Sequence, residues 1–487
     1  MAFYKVDMSV QHTIKINLTG GVVSAGDLYE ILVIAEKAGA TNIYFGTRQQ
    51  LYFHIDDSLL NDMNYNMLGA EIAYELGVEE YPNIVSSYVA DTIFNTEGWL
   101  KEGVYKDIFD LFTHQPKLKI NIADSGQSFV PFFTGNLNFI SSGVSNYWYL
   151  YVRFPKTNQV CCWPALVYSD DIPEVSKVIE GLIYSNKTKF YDKAVIDEQL
   201  FFNMLKPLMS HEQAITHPLN LPEFFLPYYE GFNKYGSNKY WLGIYRRNEC
   251  FELSFLKDVC MLCLQTRVGQ LYITPWKSIL IKSIDNTDRQ YWGSLLNKYR
   301  LNVRHAANEL NWQVEDQCPE GLALKRQLVR EFEEADMRTY RLCFAIKTQP
   351  RTGLFGSVIL KKQTGEHWEI MYTRDFNPNS KDFVVYKKRV PKAEIIKHLE
   401  ELCRIYYSFY ADNELKTGND HSHTEDTGEP VKQKTVHQCI NCLSVYDETY
   451  GDNENGISPG IAFSDVLNYS CPVCGSSKAY FEEKKWA

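Results

Sequence analysis

Four cysteines near the C-terminus fall into two pairs, Cys439-Ile-Asn-Cys442 and Cys471-Pro-Val-Cys474. A Cys-x-x-Cys loop presents two thiolates to one side of a metal ion. Two such loops facing each other complete a tetrahedral four-sulfur site that suits iron or zinc. Cys439, Cys442, Cys471 and Cys474 are therefore the candidate metal ligands. The aromatic residues around them, Tyr446, Phe463, Tyr469, Tyr480 and Phe481, are expected to pack a small core about the metal. A module this short needs such a staple, because its own core is marginal.

A second candidate is cationic. In Gln115-Pro-Lys-Leu-Lys-Ile120, strand alternation would put Lys117 and Lys119 on one face. Two ammonium groups side by side are costly unless an anion sits between them. The plainer alternative is an exposed, lysine-guarded sheet edge. Among the remaining cysteines, Cys260-Met-Leu-Cys263 has metal-ligand spacing but lies in an apolar helical run, where thiols are expected to act as small core side chains.

These groups sit in a chain of 487 residues, enough for two or three domains. An apolar fraction of 45% implies a well-formed core, and a net charge of −10 argues against a nucleic-acid partner. No apolar run is long enough to span a membrane. The start, Met1-Ala-Phe-Tyr-Lys-Val-Asp7, lacks an apolar signal core, so a cytoplasmic location is expected. The twelve cysteines then read as thiols or ligands rather than disulfides.

The body repeats itself. Ser24-Ala-Gly-Asp27 reads as a helix start, Leu28 to Ala38 as the helix and Gly39 as its stop, with a hairpin over Ile43 to Ile55. Leu253 to Cys263 followed by Gln270 to Lys282 repeats the pattern, pairing Gly46 with Thr274 and Arg48 with Trp276. The period of about 228 residues is too long for a solenoid and indicates an internal duplication. Residues 411–436 are polar and read as a flexible linker, in which His421 and His423 are solvated.

Taken together, Cys439-Ile-Asn-Cys442, Gly456-Ile457, Pro459-Gly460, Phe463 and Cys471-Pro-Val-Cys-Gly475 resemble rubredoxin over nearly the whole module. The resemblance implies one iron held by four thiolates and cycling by single electrons. Zinc takes the same ligands, particularly in recombinant protein. The sequence departs from the rubredoxin pattern at Leu443, where glycine is usual, and at Tyr469, where tryptophan is usual.

The body, through the Thr47-Arg48-Gln49 hairpin and the lysine motif, resembles the siroheme nitrite and sulfite reductases. That resemblance implies an α+β fold: a pseudo-twofold duplicated body of two ferredoxin-like half domains plus two α/β lobes. The expected half domains are 1–56 and 236–285, the lobes 57–235 and 286–410, with the linker over 411–436 and the rubredoxin domain over 437–487. Arg48, Lys117 and Lys119 would bind an oxyanion or siroheme, which makes siroheme a candidate cofactor. The family's further arginine has no counterpart in Val85 to Ala90, and Cys318, Cys343 and Cys403 lack the spacing of a [4Fe–4S] set, so no such cluster is expected.

The expected function is one-electron transfer to or from a redox partner protein in nitrite, nitrate or sulfite assimilation. The alternatives are a siroheme reductase fed by its own tethered rubredoxin, and a non-redox siroheme or anion binder carrying structural zinc.

Overall fold

A computed structural model describes residues 11–77, 80–95, 98–157, 159–193, 195–209, 213–236, 238–339, 341–350, 353–417, 434–441, 444–452, 455–458, 460–472 and 475–486. The chain divides into two compact units, Met1–Tyr410 and Ala411–Ala487.

The duplication governs the larger unit. Ser24 caps the helix Ala25–Lys37, its hydroxyl accepting from Asp27 N at 3.0 Å, and the chain leaves the helix through Gly39 at φ +81°. Strands β1 (Gln11–Asn17), β2 (Val22–Ser24), β3 (Asn42–Phe45), β4 (Gln50–Asp56) and β5 (Glu75–Leu76) belong to the first half. The first lobe supplies β6 (Val85–Ser86), β7 (Ile120–Ala123), β8 (Leu137–Ser141), β9 (Tyr147–Arg153), β10 (Val160–Tyr168) and β11 (Gln213–Ala214). The second half domain supplies β12 (Gly231–Tyr235), β13 (Lys239–Ile244), β14 (Cys250–Glu252), β15 (Gln270–Ile273) and β16 (Ile279–Asp285), with the helix Leu253–Gln265 between β14 and β15.

The two half-domain sheets run β14-β3-β4-β1-β5 and β2-β15-β16-β13-β12. They are related strand for strand, and each gives up the strand before its helix to the other. β14 pairs antiparallel with β3, and β2 with β15. This exchange welds the halves into one domain whose single core takes Leu28, Leu32, Phe53, Leu256, Cys260, Cys263 and Ile281, all fully buried. Cys260 and Cys263 are thus core side chains, and burial raises both thiols. The hairpin turns also match. Gln49 and Lys277 are both non-glycine residues in the left-handed region, at φ +62° and +56°. Each closes its turn with a backbone bond, to Gly46 O at 2.9 Å and to Thr274 O at 3.0 Å.

The lobes carry the same duplication, which the sequence shows only faintly. The first sheet runs β6-β7-β8-β9-β10-β11. The second runs in the order β17 (Trp312–Val314), β18 (Phe344–Lys347), β19 (Val358–Lys362), β20 (His367–Thr373) and β21 (Phe383–Pro391). In both, the first two pairings are parallel and those that follow are antiparallel. Lys119 O accepts from Asn136 N and Leu137 N just as Cys343 O accepts from Ser357 N and Val358 N, so Lys119 and Cys343 are equivalent positions.

Four expected boundaries shift. β5 lies beyond 56 yet joins the first half-domain sheet, and β12 lies before 236 yet joins the second. The helices Leu60–Gly69 and Arg289–Lys298 likewise place Met63, Met67, Trp292 and Leu295 in the half-domain core. The last helix, Ile395–Thr417, runs past the expected linker start at 411, because Glu, Leu and Lys propagate a nucleated helix at little cost. The rest of the linker, with His421 and His423, lies outside the described residues.

The smaller unit is built on a three-stranded sheet, β22 (Lys434–Cys439) between β23 (Val445–Tyr446) and β24 (Phe481–Trp486). Its core is Tyr446, Phe463, Val466 and Tyr469, with Ile457 and Phe481 against it. Tyr480, expected inside, is 47% exposed, because it closes a short turn before β24 while Phe481 faces inward. No helix among the described residues is long and apolar enough to cross a membrane.

Candidate metal centre and body cavity

Cys439 and Cys471 are both buried, at 0% and 3% exposure. Each opens a loop closed in the same way: Cys439 N donates to Ser444 O and Cys471 N to Ser476 O, both at 2.8 Å. The loops are tied by Asn441 Nδ2 donating to Ser476 Oγ at 2.8 Å. β24 anchors the first loop, with Ile440 N donating to Tyr480 O at 2.9 Å and Cys439 paired with Phe481. Cys442, Leu443 and Cys474 lie outside the described residues.

Two matched loops, each led by a buried cysteine, suit a soft four-thiolate site, and these residues fit iron or zinc. One contact was not expected from the sequence: Ser444 Oγ lies 2.9 Å from Cys471 Sγ. A hydroxyl at that distance donates to a thiolate. Tyr469, in place of the usual tryptophan, bonds through its OH to Asp452 Oδ2 at 2.7 Å and completes the aromatic cluster.

The body cavity has a volume of about 340 Å³ and lies where both hairpins meet both lobes. Arg48 and Lys119 line it, with Thr134, Glu315, Asp316 and Gly353 among the other walls. Arg48 is 7% exposed and cross-links hairpin to lobe. Its Nη2 donates to Asn83 O at 2.6 Å and Ile120 O at 3.0 Å, and its Nη1 to Asn121 Oδ1 at 3.2 Å.

Lys117 does not reach this cavity. The strand begins only at Ile120, so the alternation expected over 117–119 does not form. Lys117 Nζ instead pairs with Glu80 Oε1 at 2.8 Å and lies over the Tyr81 ring, while its backbone N donates to Glu180. Glu80 raises the Lys117 amine and is itself lowered by it. Both side chains are exposed, and such pairs are weak. Lys117→Ala is therefore expected to leave the melting temperature and any anion affinity of the body unchanged. A lost affinity in a titration with oxyanion would return Lys117 to the site.

The two carboxylates of the lining are turned into the protein. Glu315 accepts from Thr348 N at 2.8 Å and Gln349 N at 3.0 Å, and Asp316 from Thr47 N at 3.0 Å. Behind them Lys277 Nζ sits 2.6 Å from Glu249 Oε2 and 3.3 Å from Asp316 Oδ1. The three cations named for siroheme thus do not converge. One is spent on carbonyls, one points elsewhere, and two carboxylates share the wall. The residues named for siroheme do not fit it as a set. Cys318 caps the helix Pro319–Glu334, Cys343 is buried with its thiol toward Phe355 O, and Cys403 packs in the second-lobe core.

Comparison with known proteins follows this division. The rubredoxin family model matches residues 436–481. A rubredoxin of Acinetobacter baylyi is 45% identical over 47 residues, which is 9% of this chain and 87% of that protein. The high molecular weight rubredoxin of Moorella thermoacetica is 46% identical over 48 residues, 10% of this chain and only 21% of its own length. The solved structure of the Mycobacterium tuberculosis NirA protein superposes with a TM-score of 0.62 at 13% identity, covering 85% of this chain and 82% of that one. Fold and site together define a fusion: a duplicated α+β body with the fold of the NirA protein, followed by a four-cysteine metal domain. Through that C-terminal domain the chain belongs to the rubredoxin family.

Proposed function

We propose that this protein transfers single electrons through Cys439, Cys442, Cys471 and Cys474, as a partner or accessory in nitrite, nitrate or sulfite assimilation. The observation that carries the reading is the pair of equivalent loops, each closed by the same 2.8 Å bond behind a buried cysteine, in a segment that matches 87% of the length of a rubredoxin. Iron bound by four thiolates accepts and returns one electron without changing its ligands. The chain's own part is to hold the sulfurs rigidly, to shield them with Tyr446, Phe463 and Tyr469, and to set the potential through hydrogen bonds to sulfur. Its net charge of −10 steers it toward a basic partner protein.

The test is the absorption spectrum of anaerobically purified protein from the native source, with iron, zinc and siroheme quantified together. One iron per chain with rubredoxin-type absorption supports the reading. Zinc alone in native-source protein overturns it. Bound siroheme would instead direct attention to nitrite and sulfite turnover.

Ser444→Ala provides a finer check. Donation to Cys471 Sγ favours the more negatively charged, reduced centre, so its loss is expected to lower the midpoint potential. The shift should be some tens of millivolts, the scale of a net hydrogen bond of about 1 kcal/mol. Redox titration with Ser444→Thr as the conservative control reads it, and an unchanged potential in the alanine variant removes Ser444 from the tuning set.

A further inference from the structure

The body holds a second cavity, of about 230 Å³, that shares no lining residue with the one described above. It lies where β1 and residues 73–84 meet the helix Glu102–Asp110 and the stretch that follows it. Four aromatic side chains stand in its walls: Tyr74, Tyr81, Phe109 and Phe112. Phe109 is packed against Gly20, at φ +67°, where a Cβ would meet the ring at 2.2 Å. The His114 ring, also of the lining, is centred 5.8 Å from that of Phe112.

Two polar atoms of the lining residues are buried without a hydrogen-bond partner, Asn17 Oδ1 and His114 Nε2. Turning the Asn17 amide over does not relieve this. Its Nδ2 donates to Tyr81 O at 2.8 Å, and an oxygen in that place would face an oxygen. Asn17 Oδ1 is therefore an acceptor without a donor. His114 Nε2 donates or accepts according to its tautomer. Buried polar atoms are ordinarily satisfied, and one left open is destabilising until a ligand or a water completes it.

The remaining charges of the lining are closed on each other. Lys15 Nζ is 3.0 Å from Glu75 Oε1 and donates to Tyr81 O at 2.9 Å. Glu75 also accepts from Glu80 N at 2.8 Å and Tyr81 N at 3.2 Å. A neutral occupant suits such a wall better than an ion. A volume of about 230 Å³ is below the roughly 300 Å³ at which pockets begin to take drug-sized ligands, so one ring system fits where a dinucleotide or a tetrapyrrole does not.

We propose that this cavity binds a small, neutral, planar nitrogen heterocycle. A ring N–H donates to Asn17 Oδ1, a second ring nitrogen meets His114 Nε2, and the aromatic walls pack against the rest of the ring. The site uses none of the cysteines and none of the cations that the sequence motifs mark. It goes beyond the electron-transfer reading and does not rest on it.

The experiment is calorimetric titration of the full-length protein with two matched probes, benzimidazole and 1-methylbenzimidazole. They share a flat bicyclic ring and one acceptor nitrogen, and only the first has an N–H. Wild-type protein should bind benzimidazole saturably and about ten-fold or more tighter than the methylated probe, the scale of one hydrogen bond to an otherwise stranded buried acceptor. Asn17→Leu should erase that difference, since Tyr81 O keeps Lys15 as its donor while the acceptor for the ring N–H is gone. His114→Phe, which keeps a ring beside Phe112, should weaken both probes. If Asn17→Leu does not fold, the matched probes on the wild type and on His114→Phe carry the same test. Equal affinity of the two probes would mean that the cavity reads apolar shape alone, and overturns the proposal. Absence of saturable binding would mean that water completes Asn17 and His114, and overturns it as well. Since no iron signal is read, its failure is distinct from failure of the electron-transfer reading.

Discussion

Replacing Cys471 by serine is expected to abolish the visible absorption of the protein and to unfold the C-terminal domain, while the Met1–Tyr410 unit melts as before. Cys471 is 3% exposed, leads the second loop and receives the Ser444 hydroxyl, so no water or neighbouring side chain replaces its sulfur. Among the described residues the aromatic core cluster around it is small: Tyr446, Phe463, Val466 and Tyr469, with Ile457 and Phe481 packed alongside. A core of that size does not outweigh the chain entropy of about fifty residues. Metal binding supplies the remainder, on the order of 10–16 kcal/mol where comparable thiolate sites have been measured with zinc. Losing one ligand therefore removes fold and colour together. Cys442→Ser is expected to do the same. The 1–410 unit has its own cores. Differential scanning calorimetry alongside the absorption spectrum separates the two transitions. A body transition that moves with the cysteine would show that the units are not independent.

The half domains were readable because their signals are local. Ser24 with Asp27, the apolar spacing of Leu28, Ile31, Leu32 and Ala35, and alternation through Leu51, Phe53 and Ile55 each specify an element from adjacent residues. The lobes were not. Their leading strands, Val85–Ser86 and Ile120–Ala123, are two and four residues long and buried on both faces, so no period of two appears. The same shortness misplaced Lys117: the alternation through Lys119 reads as strand, but the strand starts one residue later. Of the sites, the cysteine pairs announce themselves by spacing. Gln49 and Lys277 show how duplication hides function. They occupy the same turn position, yet the side chains differ and so do the partners they bind.

Lys277 is where that difference has the largest effect on stability. Its left-handed backbone would favour glycine, and a lysine there persists because its side chain is needed. The ammonium is 3% exposed, donates to Val314 O at 2.8 Å and Glu315 O at 3.2 Å, and lies between Glu249 and Asp316. Burial alone would lower its pKa, but Glu249 and Asp316 outweigh it and hold the amine above its ordinary value. A raised folded-state pKa contributes stability that is complete below the unfolded value and is lost only as pH climbs through the folded one. The contribution should thus be intact across neutral pH and fade only in strong alkali.

Lys277→Met leaves Glu249 buried, with Lys325 at 3.9 Å as its remaining cation. Breaking a buried pair in this way costs about 3–5 kcal/mol. Urea denaturation of the body, followed by tryptophan fluorescence at pH 7, should show that loss with the iron absorption unaltered. Adding Glu249→Gln to Lys277→Met should recover part of it, because the stranded charge goes, although the bonds to Val314 and Glu315 do not return. Lys277→Gly separates the two effects from the other side: it relieves the left-handed strain and still loses the bracket, so it should remain well below the wild type. A Lys277→Met variant within about 1 kcal/mol of wild type would mean that the hairpin is held to the second lobe by packing alone.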